Sequence, residues 1–189
     1  MLDKNGHIYQ LSQILTESVE KTTKLNQYDV ISSTAKGLFL QSEYFDKEVA
    51  SADNIGYKVL HLYQIVLSPQ NLWLGNINYN DKYEIGMVSP SYKLFDISTK
   101  FNPLFISYLM KTHKAFFEYA NASEQGASIV RRNLNMEDFY AISFRIPPRE
   151  EQDYIASLFE LIANRKAVEQ SVLHQFENQK QYLLSAMFI

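Results

Sequence analysis

The chain has 189 residues, of which 46% are apolar. That is enough for one ordinary domain with a core and an appendage. It contains no cysteine, which excludes a disulfide framework and a thiolate metal site and accords with a cytoplasmic location. The net charge is −3, which argues against a uniformly basic surface.

That charge is unevenly spread. Residues 100–149 carry seven Lys/Arg against four Asp/Glu, whereas residues 151–189 carry three against five. A local basic face is therefore permitted, because charge acts over about a Debye length. No apolar run approaches the ~18 residues of a membrane span, and the first residues lack the pattern of a signal peptide. Aromatic residues make up 14% of the chain, which argues against disorder.

In chain order, residues 7–25 begin with a short apolar-rich stretch. They then read as a helix capped by Ser12, with Ile14, Leu15 and Val19 on one side. Tyr28-Asp29-Val30-Ile31-Ser32-Ser33 reads as a strand, left by a turn at Thr34-Ala35-Lys36-Gly37-Leu38. Residues 57–68 are rich in β-branched residues, Leu and Tyr, predicting strands that stop at Pro69. Two further strand-like runs, Leu72-Trp73-Leu74-Gly75-Asn76-Ile77 and Tyr83-Glu84-Ile85-Gly86-Met87-Val88, are separated by Asn78, Asn80 and Asp81.

Asn102-Pro103 opens a helix running through Phe105, Leu109 and Phe116, since Pro suits a first helical turn. Residues 123–132 are polar and read as a loop. Residues 134–144 combine a short helical or irregular piece with a closing strand, Ala141-Ile142-Ser143-Phe144.

After Pro147-Pro148 neither Pro nor Gly recurs. Alternating spacings of four and three pick out Ile155, Phe159, Ile162, Lys166, Glu169, Leu173, Phe176, Lys180, Leu183 and Met187. Seven of these are apolar, which is the seam of a helix packing lengthwise against another helix. At about 1.5 Å per residue this arm spans roughly 58 Å, too long for the core of a small domain. A terminal helix folded back on its own domain is the plainer alternative.

Several motifs occur together and in order: Gln41-Ser42-Glu43-Tyr44-Phe45, Gly86-Met87-Val88-Ser89-Pro90-Ser91-Tyr92, Gln125-Gly126-Ala127-Ser128 and Ile146-Pro147-Pro148-Arg149-Glu150-Glu151-Gln152. With the Glu-rich terminal helix and its Leu183-Leu184-Ser185-Ala186-Met187-Phe188 ending, they resemble the specificity subunit of type I DNA restriction–modification systems. The resemblance covers nearly the whole chain.

It implies a target recognition domain of α/β or α+β type (residues 1–148). A long conserved helix (residues 149–189) would then serve dimerisation and spacing. In that family two such domains and two such helices usually share one chain, with the helices packed antiparallel as a coiled coil. The single domain and single helix here imply a half-subunit, and hence a homodimer reading a split, inverted-repeat DNA site. Burying a large apolar side chain is worth about 1.5–3 kcal/mol. That gives Ile155, Phe159, Ile162, Leu173, Phe176, Leu183 and Met187 reason to form the dimer interface.

The resemblance also implies partners: double-stranded DNA, methyltransferase subunits and an endonuclease/translocase subunit. This chain itself is expected to hold no cofactor and no metal. S-adenosylmethionine, ATP and Mg would sit on the partner subunits only, and no membrane is involved.

Three segments carry residue types suited to DNA. On the turn, Ser33, Thr34 and Lys36 offer hydroxyls and a cation for phosphate or base edges. In the polar loop, Gln125, Ser128, Arg131 and Arg132 include the residue types that pair with adenine and guanine. Beside Trp73 and Gly75, Asn76 suits adenine. A solvated turn, a surface loop with incidental charges and a core tryptophan are the respective alternatives. Lys93, Lys100, Lys111, His113 and Lys114 are individually plausible phosphate contacts.

Ser89-Pro90-Ser91-Tyr92 resembles the catalytic motif of amino-methyltransferases, but the second Pro is replaced by Ser91 and no Gly-rich cofactor fingerprint precedes it. A structural turn with Tyr92 packed is the reading adopted. The four histidines, His7, His61, His113 and His174, lack ligand-like spacing, and Glu150-Glu151 suits the start of a helix. The chain is expected to be non-catalytic. Two alternatives stay open: an oligomeric interaction module that binds no DNA, and a regulator that pairs with a full-length specificity subunit.

Overall fold

A computed structural model of the chain describes residues 6–44, 53–125 and 132–187. It shows a mixed α/β body and one long helical arm. The strands are β1 (His7–Gln10), β2 (Leu15–Ser18), β3 (Ile31–Thr34), β4 (Gly37–Leu40), β5 (Lys58–His61), β6 (Ile65–Leu67), β7 (Ile77–Tyr79), β8 (Ile85–Val88), β9 (Lys93–Ile97), β10 (Ser123–Gln125), β11 (Arg132–Leu134) and β12 (Ser143–Ile146). The helices are α1 (Leu11–Ile14), α2 (Gln41–Tyr44), α3 (Pro103–Leu109), α4 (His113–Asn121), α5 (Met136–Ala141) and α6 (Arg149–Met187).

A four-stranded antiparallel sheet, in the order β2-β9-β6-β7, forms the backbone of the body. Successive strand residues face opposite sides, and this sheet uses both. Ile65, Leu67 and Phe95 join the larger cluster with residues of α1, α3, α4 and α5. Val66 and Leu94 point the other way, into a smaller cluster with Ile31, Leu38, Leu60 and Val88. The second cluster sits beneath the β3–β4 hairpin and the β5–β8 pair. Gly86 makes this layer possible, because a Cβ there would collide with the Ile31 side chain.

Four expectations are corrected. The helix expected after Ser12 is a single turn, Leu11–Ile14, and Leu15–Ser18 continues as a strand paired with β9. Leu11, Ile14 and Leu15 are buried by this arrangement, whereas Val19 is exposed. The cap is Gln10, whose N–H donates to Gln13 Oε1 at 2.9 Å. Leu72–Leu74 is a 3-10 turn and not a strand, ended by Gly75 at φ 88.

The helix from Asn102 is interrupted after Leu109 and restarts at His113. Asn102 Oδ1 accepts from Phe105 N–H at 2.9 Å, and Thr112 Oγ1 re-caps the chain by accepting from Ala115 N–H at 3.2 Å. The loop expected over residues 123–132 is a β10–β11 pair at its root.

The arm begins where expected. Gln152 is buried and clamps the entry: its Oε1 accepts from Asn102 N–H at 2.9 Å, and its Nε2 donates to Pro147 O at 2.8 Å. Asp153 accepts from Asn102 Nδ2 (2.7 Å) and Arg149 Nε (2.8 Å). Those two hydrogen bonds, Asn102's first, hold its carboxyl below the usual carboxylate range. Ala156 is buried, Ile155 packs on the larger core cluster, and Phe159 stacks on Tyr108 at 4.7 Å between ring centroids. Beyond this point the helix projects away from the body, with Ile162, Leu173, Phe176, Leu183 and Met187 all exposed. Helix α6 is therefore an arm and not a folded-back terminal helix.

Candidate nucleic-acid interface

The β3–β4 hairpin pairs Thr34 with Gly37 across a tight turn, leaving Ala35 and Lys36 exposed at its tip. Thr34 Oγ1 accepts from Lys36 N–H at 3.1 Å and donates to Gly37 O at 3.2 Å. Gly37, at φ 132, occupies a conformation that a side chain would strain.

Ser33, on the opposite face from Ser32 and Thr34, is only 3% exposed. Its Oγ donates to Asn76 Oδ1 at 2.8 Å, while Asn76 Nδ2 returns a bond to Ser33 O at 3.0 Å. Asn78 Nδ2 donates to Ser33 Oγ (2.9 Å) and Thr34 O (2.7 Å). Lys111 Nζ, from the corner between α3 and α4, donates to Asn78 Oδ1 at 3.0 Å. Tyr92 O–H donates to Ser33 O at 3.0 Å.

This polar network, spanning the β3–β4 hairpin, β7, Tyr92 and the α3–α4 corner, satisfies every member and fixes the hairpin. Burial holds the Tyr92 phenol above its usual range and the Lys111 ammonium below its own. Ser33 and Asn76 thus sit behind the surface, where their hydrogen bonds are spent on the fold and not on a base edge. Thr34 and Lys36 are the members of this group that reach outward.

Asn78 and Tyr92 went unread as parts of this assembly. A signal existed: Asn76, Asn78 and Asn80 alternate with Ile77 and Tyr79, the period of one strand face. All three asparagines are buried and bonded. Asn80 Nδ2 donates to His61 O and Tyr83 O, shaping the end of β5.

At the second segment, Gln125 pairs with Arg132 in the β10–β11 ladder. Ser128 and Arg131 lie outside the described residues. The Arg132 guanidinium lies over the Trp73 ring, 4.5 Å from its centroid, and Nη1 donates to Ala120 O at 3.3 Å. Its N–H also donates to Gln70 O at 3.3 Å. Arg132 therefore ties the root of the β10–β11 arm to the 3-10 turn. Among the described residues, the buried Trp73 Nε1 has no hydrogen-bond partner.

The isolated cations also have local engagements. Lys93 Nζ meets Glu17 at 2.7 Å, Lys100 lies over Tyr9 at 4.4 Å and Lys114 over Phe144 at 5.6 Å. Ser89 and Ser91 sit in the tight turn joining β8 and β9, with Tyr92 N–H donating to Ser89 O at 3.0 Å. Among the described residues, no group of three His, Cys, Asp or Glu could hold a metal ion, and no helix is long and apolar enough to cross a membrane.

No protein-family model matches the chain, and no curated protein matches it. Solved structures do. A chain from a type I R-M system, solved for its complex assembly and conformational transition, superposes with TM-score 0.62 over 97% of this chain at 11% identity. The chain has the fold of a type I restriction–modification specificity subunit.

The HsdS subunit from Thermoanaerobacter tengcongensis gives TM-score 0.61 over 88% of this chain at 16% identity. The type I restriction–modification S subunit from M. genitalium gives 0.54 over 87% at 11% identity. This chain spans 44%, 44% and 41% of those three chains respectively, less than half of each. The long C-terminal helix belongs to the shared architecture.

Proposed function

We propose that this chain is a DNA-recognition component of a type I restriction–modification system, non-catalytic in itself, that reads one half of a bipartite site. The observation that carries this reading is the pairing of a specificity-subunit fold over 97% of the chain with an uncovered helical arm. In this reading, two chains join through α6 as an antiparallel pair, an isologous arrangement that shields Ile162, Leu173, Phe176, Leu183 and Met187. A 39-residue helix, roughly 58 Å long, holds two domains more than one DNA turn of about 34–36 Å apart.

The arm carries more apolar surface than one partner helix covers. Tyr154, Leu158, Leu161, Val168, Val172 and Tyr182 are all exposed, and each precedes a seam position by one residue. That places a second stripe about 100° around the helix. It supports docking of a second kind of chain, in this reading the methyltransferase subunits, beside the dimer seam. S-adenosylmethionine, ATP and Mg would be carried by those partners.

Fluorescence anisotropy with a labelled duplex of random sequence tests the DNA reading. Affinity should fall steeply with salt as counterion release is opposed. Absence of binding at low salt, with oligomerisation intact, would leave the protein-only interaction module as the surviving reading.

A further inference from the structure

One carboxylate serves more than one ammonium at the edge of the four-stranded sheet. Glu17 accepts from Lys93 Nζ at 2.7 Å and lies 3.9 Å from Lys58 Nζ. Lys58 is 9% exposed, and its ammonium donates to Tyr92 O at 2.6 Å. Lys21 lies directly opposite Lys58 across an isolated antiparallel bridge. Among the described residues Lys21 has no ion pair.

Directly opposed residues share a face of the ladder, and like charges there are destabilising. A nearly buried ammonium normally has a full counter-charge. Among the described residues, this one shares the carboxylate of Glu17 with Lys93 and faces a second lysine. Burial first, then Lys93, hold Lys58 below the usual lysine range, with Glu17 opposing and Lys21 adding to the shift. Three ammonium groups against one carboxylate leave these four side chains with a net positive charge, which suits an anion.

The cluster also adjoins the β3–β4 hairpin. Tyr92 accepts from Lys58 through its carbonyl and donates to Ser33 O through its hydroxyl. One residue thus connects the lysines to the element that presents Thr34 and Lys36.

We propose that Lys21, Lys58 and Lys93 form a subsite for a backbone phosphate of the bound duplex, with Lys21 and Lys93 touching the anion and Lys58 supplying charge from behind them. The proposal rests on the DNA-recognition reading and adds a location to it. Glu17 is the restraint on this subsite: it holds Lys93 in place and offsets part of the positive field.

The test uses the full chain and a labelled random-sequence duplex, with affinity followed across a salt series. Lys21→Met and Lys93→Met should each lower the magnitude of the salt slope by about one, and weaken binding at every sequence alike. Glu17→Gln should tighten binding severalfold, a change in the opposite direction that a salt bridge serving the fold alone would not produce. Urea unfolding of each variant, followed by tryptophan emission, controls for folding.

Unchanged slopes in both methionine variants, with wild-type binding intact, would overturn the subsite and leave DNA recognition standing. Failure of the wild-type chain to bind any duplex would overturn both.

Discussion

The Arg132 guanidinium covers the face of Trp73, 4.5 Å from the ring centroid, while its Nη1 holds Ala120 O. Trp73 is the single tryptophan of the chain, so this contact reports itself. Arg132→Ala should shift the emission spectrum and lower stability by about 0.5–2 kcal/mol, the range of a cation–π contact. Urea unfolding followed by fluorescence measures both. Unchanged emission and unchanged stability in Arg132→Ala would contradict the contact as a tie between the β10–β11 pair and the 3-10 turn.

Phe176 is 63% exposed, on the part of α6 that projects beyond the body. Phe176→Asp should therefore leave the body folded, with unchanged tryptophan emission, and in the proposed paired arrangement should reduce the mass to that of one chain of 22.0 kDa. Light scattering gives the mass. Phe159→Asp is the contrasting case, because Phe159 also stacks on Tyr108 of its own body. It should cost stability as well as association.

Asn78→Ala removes the partner of Lys111 Nζ, Ser33 Oγ and Thr34 O at once. Orphaned buried polar groups cost about 1–3 kcal/mol each where water cannot replace the bond. A loss of about 2–4 kcal/mol in chemical denaturation is expected. Hydrogen exchange should rise across β3 and β4 more than across β1 and β12, which share no bond with Asn78.

Burial, with Tyr63 and Asp81 adding to it, raises the Tyr79 phenol to about 12 from an ordinary 10.0. The folded chain therefore holds this proton more tightly than the unfolded chain. Its contribution to stability is complete below pH 10 and is lost as pH climbs towards about 12. Urea midpoints for wild type and Tyr79→Phe should run parallel below that window, and the wild-type midpoint should fall relative to that of Tyr79→Phe within it. Curves that stay parallel throughout would remove Tyr79 from the alkaline transition.

The long helix was legible because two signals agreed: Pro147-Pro148 at the entry, and afterwards a Pro- and Gly-free run whose seam is apolar at seven of ten positions. The β3 strand and the turn that leaves it, with Lys36 at its tip, were legible from Thr34 to Gly37, whereas the returning strand β4 was not. Local reading failed where distant partners decide. Leu15–Ser18 follows a helical turn, and its pairing with β9 is what makes it a strand. The β9 run, Lys93–Ile97, was itself missed, since a single Asp96 breaks its apolar pattern and its partners lie far away in the chain. Asn76 and Asn78 look like turn or base-reading residues one at a time. Only their shared face and the arrival of Ser33 and Lys111 turn them into a buried scaffold.

The most direct test of the central claim is selection of bound duplexes from a randomised pool by the full chain, followed by sequencing. Two copies joined through α6 predict enrichment of an inverted repeat with a gap of fixed length. No enrichment above the input pool, or enrichment of a single asymmetric element, would contradict the account of a paired half-site reader.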